Sequence, residues 1–148
     1  MSNEPVSSMP NTSQPPLSQS EERQYAMFAH LGVLLNLVTG FLGPVVPLVI
    51  YMVYKDRSRY VAYQSLQALI FQLVWWVGGG ILATVAWTIT GTLSAVLIGI
   101  ICIPFACIIS ALPLVAIGYG IYGGVQTSRG EDFKYWLVGD WVRSTLTG

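Results

Sequence analysis

Two long uncharged stretches set the pattern of this chain. Asp, Glu, Lys and Arg are absent from Ala26 to Tyr54 and again from Tyr60 to Ser128, whereas short polar, charged segments flank both stretches. A buried ion costs several kcal/mol in hydrocarbon, so runs of this length mark a chain embedded in a membrane. About 20 residues at ~1.5 Å each cross a ~30 Å hydrocarbon core, and the second stretch therefore holds two crossings. The first of these is predicted to start at Ser58 as N-cap and run to about Thr88. An uncharged turn at Thr88 to Ser94, with its midpoint near Gly91, leads to a last helix from about Thr92 to Thr127. Pro104 and Pro113 should kink that helix.

The first stretch has two readings. Ser20, followed by Glu21, Glu22 and Arg23, reads as a helix start, with acidic residues in the first turn. Thr39, Gly40, Gly43, Pro44 and Pro47 then interrupt the apolar run near its middle. The segment is either one broken crossing or a hairpin of two short helices, Glu21 to Val38 and Gly43 to Lys55.

Charge placement favours the hairpin. Lys55, Arg57 and Arg59 form the densest basic loop, and with Arg129, Lys134 and Arg143 they belong on the cytoplasmic side. A hairpin brings Glu21 to Arg23 to that same side. The expected fold is an all-α integral membrane bundle of four transmembrane helices, the first two a short hairpin, with both termini cytoplasmic. Its second arm is short, so a half-crossing is a variant of this reading. Residues 129–148 combine charges with Phe133, Tyr135, Trp136 and Trp141, the composition of a segment lying at the interface. The expected anchors are Lys55, Arg57, Arg59, Tyr60, Arg129, Lys134, Tyr135, Trp136 and Trp141. Residues 1–20 read as a disordered Ser/Pro-rich tail and not as a signal peptide, leaving 21–128 as the transmembrane domain.

Composition narrows the function classes. The chain has 148 residues, of which 9% are charged and 53% hydrophobic, with mean hydropathy +0.59 and formal net charge zero. A basic surface for nucleic acid is missing. Cys102 and Cys107 lie five positions apart, about 140° around a helix, and are read as small apolar fillers rather than a disulfide or metal pair.

Candidate chemistry is sparse. The intramembrane polar residues are His30, Asn36, Gln64, Gln67 and Gln72. The three glutamines fall on one arc of roughly 140° at 100° per residue, suited either to bridging helices or to lining a weakly polar path. His30, the only histidine, is a candidate for a buried hydrogen bond, for proton-linked gating, or for an axial ligand to a haem or pigment. With no acid–base pair, activated nucleophile or metal cluster in the apolar run, the chain reads as non-enzymatic and no cofactor is expected. Gly78, Gly79 and Gly80 in mid-helix and the Gly120–Gly124 spacing are candidates for close helix packing. The role that fits is a structural or accessory subunit contacting the lipid bilayer and other membrane subunits or itself; the alternative is a small channel or transporter.

Several runs together carry a resemblance. Glu22-Arg23, Ala29-His30-Leu31, the Pro44 to Pro47 turn into Leu48-Val49-Ile50-Tyr51, and Lys55-Asp56-Arg57-Ser58 come first, followed by Val61, Ala68-Leu69, Phe71-Gln72 and Gly130-Glu131 with Phe133, Tyr135 and Leu137. In this order they resemble a family of small bacterial membrane proteins related to the twenty-kilodalton inner-envelope component of the chloroplast protein-import translocon. The resemblance implies four helices in a bacterial cytoplasmic (inner) membrane, cytoplasmic termini and a scaffolding or translocon-like role. The chain departs from the family pattern at Gln64, Ile70 and Trp136, so the resemblance does not imply a histidine-dependent activity.

Overall fold

The computed structural model describes residues 15–147, and every regular element among them is helical. Most of the tail expected over residues 1–20 lies outside the described residues. Helix α1 (Gln19–Leu31) starts two residues earlier than the sequence suggests, because Ser18 and not Ser20 is the N-cap. The reason is a reciprocal capping box: the Glu21 carboxylate accepts from the Ser18 N–H at 2.8 Å while the Ser18 hydroxyl accepts from the Glu21 N–H at 3.4 Å.

A 3₁₀ turn at Gly32–Leu34 leads into α2 (Leu35–Thr39), which ends at Gly40 with φ +83°. The chain then reverses. Asn36 Oδ1 accepts from the Gly43 N–H at 2.7 Å and closes the turn, and α3 (Val45–Tyr54) returns along α1. Gly32 permits that return, since a Cβ there would lie 2.6 Å from Val46 Cβ. The ten residues of α3 rise only about 15 Å, half of a ~30 Å hydrocarbon core.

Ser58 caps α4 (Arg59–Leu73) as the sequence indicates, accepting from the Val61 N–H at 3.1 Å. Its hydroxyl also donates to Glu22. That bond sets the starts of α1 and α4 side by side, placing Glu21 to Arg23 at the same end as the Lys55–Ser58 loop. A π-helical turn at Val74–Gly78 joins α4 to α5 (Gly79–Ser94), and together they form one helical stretch of 36 residues.

The next turn is at Ala95 to Ile98, later than the Thr88 to Ser94 turn expected from sequence. The hydroxyls of Thr84, Thr88, Thr90, Thr92 and Ser94 each donate to the carbonyl four residues earlier, so they remain in the helix without an outside partner. Leu97, at φ +64°, makes the reversal. Helix α6 (Gly99–Ser110) packs on α5 at Gly99, where a Cβ would come 2.2 Å from the Thr90 carbonyl. A break at Ala111 leads to α7 (Leu112–Ser128), which carries Pro113 in its first turn, while Pro104 sits inside α6. The stretches Arg59–Ser94 and Gly99–Ser128 are long and apolar enough to cross a membrane. The chain ends in α8 (Gly139–Thr147).

The buried core lies where α1, α3, α4 and α7 meet the irregular segment before α8, and includes Ala29, Ala68, Phe71, Ala116, Phe133 and Tyr135. Outside it, α5 and α6 pair mainly with each other and leave Ile81, Val85, Ile101, Phe105 and Ile108 exposed.

A buried polar knot as candidate functional site

Residues 131–135 run between α7 and α8 without belonging to either helix, so their backbone groups need partners from elsewhere. Gln64 and Gln67, one turn apart on α4, supply them. Gln64 Nε2 donates to the Phe133 carbonyl at 3.1 Å and to Asp132 Oδ1 at 3.2 Å. Gln67 Nε2 donates to the same Phe133 carbonyl at 2.7 Å, and its Oε1 accepts from the Tyr135 N–H at 3.2 Å. The two amides thus do for this peptide what a neighbouring strand would do.

His30 completes the knot from α1. Its Nε2 lies 3.0 Å from Gln64 Oε1, which also accepts from Gln67 Nε2. An amide oxygen only accepts, so Nε2 carries the ring proton and Nδ1 accepts from the Tyr135 hydroxyl at 3.0 Å. Burial, with a smaller repulsion from Tyr119, pushes the Tyr135 phenol far above its ordinary pKa and keeps that donor protonated. His30, Gln64 and Gln67 are fully buried. Both ring nitrogens have protein partners, so a haem or pigment would have to displace one of them.

Aromatic packing seals the knot. Tyr135 stacks on Phe71 with centroids 3.9 Å apart, and Phe133 meets the His30 ring edge-on at 5.3 Å. Tyr119 closes against both Phe133 and Tyr135 from α7.

Tyr135 is therefore not the interfacial anchor its composition suggests. It is 1% exposed, because it follows a segment drawn into the core by Gln64 and Gln67. Trp136 and Trp141 are exposed, and Lys134 pairs with Asp140 at 2.9 Å. Tyr60 donates to the Glu131 carbonyl at 2.9 Å, Arg57 to the Pro15 carbonyl at 3.1 Å, and Arg59 to the Leu146 carbonyl at 3.3 Å. Arg129 caps the C-terminus of α7. Asp132 binds Arg143 at 2.6 Å and raises the guanidinium's pKa.

Gly120 and Gly124 both serve close packing of α7 on α1. A Cβ at Gly120 would lie 2.7 Å from Val33, one at Gly124 3.0 Å from Leu31, and one at the intervening Gly123 2.7 Å from Phe133. The Gly78–Gly80 run behaves differently: only Gly79 approaches a neighbour, Pro113, while Gly78 and Gly80 face open space. Gln72 is buried outside the knot, and among the described residues neither its amide atoms nor Asn36 Nδ2 has a hydrogen-bond partner. Cys102 and Cys107 are free thiols. Sequence reasoning missed Asp132 and the Phe133 carbonyl, whose only signal was the lack of helical patterning beside a buried glutamine pair.

A helical membrane protein whose buried polar groups fasten its C-terminal segment to its apolar helices is the class that this architecture defines. The chain belongs to the MamF/MmsF family, the magnetosome magnetite crystal formation proteins, whose model matches residues 21–142. None of the comparisons links it to the chloroplast import component. No curated protein and no solved structure matches it.

Proposed function

We propose that the chain is a non-enzymatic subunit of the magnetosome membrane that contributes to magnetite crystal formation by scaffolding a larger membrane assembly. The family match over residues 21–142 carries this reading. The knot supports it, because His30, Gln64, Gln67 and Tyr135 are all engaged in holding residues 131–135 in place. Two helical stretches cross the bilayer, and the first hairpin enters it from the side that holds both termini. The exposed apolar faces of α5 and α6 are the surfaces offered to lipid and to other subunits, or to a second copy.

The test is complementation in a magnetite-forming bacterium deleted for its own family members. Expression of this chain should restore crystal size and number, measured by electron microscopy, and the chain should co-purify with other membrane proteins in mild detergent. Correct insertion without any change in crystals, or purification as a lone monomer, would sink the proposal.

A weakly polar conducting path is the second reading, favoured by Gln72, whose buried amide has no hydrogen-bond partner among the described residues. Solute flux into liposomes that Gln72→Leu abolishes would establish it, and flux unaffected by that change would remove it.

A further inference from the structure

A cavity of about 580 Å³ opens at the charged end of the molecule, where the end of α3, the start of α4 and α8 converge. It shares Asp132 with the knot, whose Gln64 donates to that carboxylate, and is lined by none of His30, Gln64, Gln67 and Tyr135. Its walls include Tyr51 from α3, Tyr60 and Tyr63 from α4, and Leu146 from α8, and its charged groups are Lys55, Arg59, Arg143, Asp56 and Asp132. Arg143 lies 4.6 Å over the Tyr63 ring and neutralises Asp132 at 2.6 Å. Lys55 and Arg59 have no ion-pair partner among the described residues, and Asp56 has none either. With Arg143 and Asp132 cancelling, the lining that remains carries two positive charges and one negative, a net of one positive.

The cavity also joins two environments. Lys55 and Arg59 belong to the charged α3–α4 junction, and Tyr51 lies one turn of α3 further into the apolar part of the chain. An occupant would meet cations at one end and aromatic and aliphatic surface at the other. Basic pockets beside membrane helices on the cytoplasmic face hold anionic headgroups, because the phosphate reaches the cations while the acyl chains stay in the bilayer.

We propose that this cavity binds a phosphodiester anion presented by an anionic phospholipid of the adjacent leaflet, with Lys55 and Arg59 on the phosphate and Tyr51 and Leu146 against the glycerol and first methylenes. Asp56, beside Lys55 at the charged end, disfavours a second negative charge on the occupant and leaves room for a singly charged headgroup such as phosphatidylglycerol. The proposal does not depend on the scaffolding role.

Native mass spectrometry of the full chain in neutral detergent, titrated with phosphatidylglycerol or phosphatidylcholine, tests it. Wild type should retain phosphatidylglycerol preferentially, and Arg59→Gln should weaken retention about fivefold, as ~1 kcal/mol per basic residue implies. Arg129→Gln removes the same charge away from the cavity and should leave retention unchanged. Circular dichroism confirms that both variants are folded, and Lys55→Gln serves as the second variant if Arg59→Gln is not. Equal retention of the two lipids, or equal losses in Arg59→Gln and Arg129→Gln, would overturn the site. Displacement of phosphatidylglycerol by millimolar inorganic phosphate would overturn the lipid as its source.

Discussion

At the residue scale, two glutamines on one helix have opposite expected consequences. Gln67 satisfies the Tyr135 N–H and shares the Phe133 carbonyl with Gln64, so Gln67→Leu strands the buried Tyr135 N–H and should lower stability by about 2–3 kcal/mol. Gln72 has no hydrogen-bond partner among the described residues, and Gln72→Leu should leave the thermal midpoint unchanged or raise it. Thermal unfolding followed by circular dichroism in one detergent compares the two directly. Tyr135→Phe removes the donor to His30 Nδ1 while keeping the stack on Phe71, and about 1–2 kcal/mol should be lost. The sequence made Gln64, Gln67 and His30 visible as polar residues in apolar surroundings. It did not reveal their partners, because a backbone carbonyl carries no residue-specific signal and Tyr135 looks like any interfacial aromatic.

At the element scale, glycine position matters more than glycine number. Gly120→Ala places a Cβ 2.7 Å from Val33 and should push α7 from α1, at about 1–3 kcal/mol. Gly78→Ala meets nothing and should gain up to about 1 kcal/mol from helix propensity. Melting curves of the two variants should therefore move in opposite directions. Helix existence was legible from charge-free runs and from Ser58 as a cap. The α5–α6 turn was not, because threonine hydroxyls that would mark a loop in water bond to their own helix here, and the residue that reverses the chain is Leu97.

For the whole molecule, the contact of Ser58 with Glu22 joins two charged segments 36 positions apart and sets the start of α1 beside the start of α4. In a background with Cys102 and Cys107 replaced by alanine, Ser20→Cys and Arg129→Cys should be labelled by impermeant maleimide from one side of the membrane, and Leu97→Cys only from the other. Labelling of Ser20→Cys and Leu97→Cys from the same side would refute the arrangement. The knot also has a consequence for biogenesis. Residues 131–135 leave the ribosome after α1, α4 and α7, so during synthesis Gln67 Oε1, Gln64 Nε2 and His30 Nδ1 wait in the nascent helices without the partners they have in the folded protein. A chain terminated after Ser128 would hold α1 to α7 and still lack that closure, leaving unsatisfied polar groups buried among apolar helices.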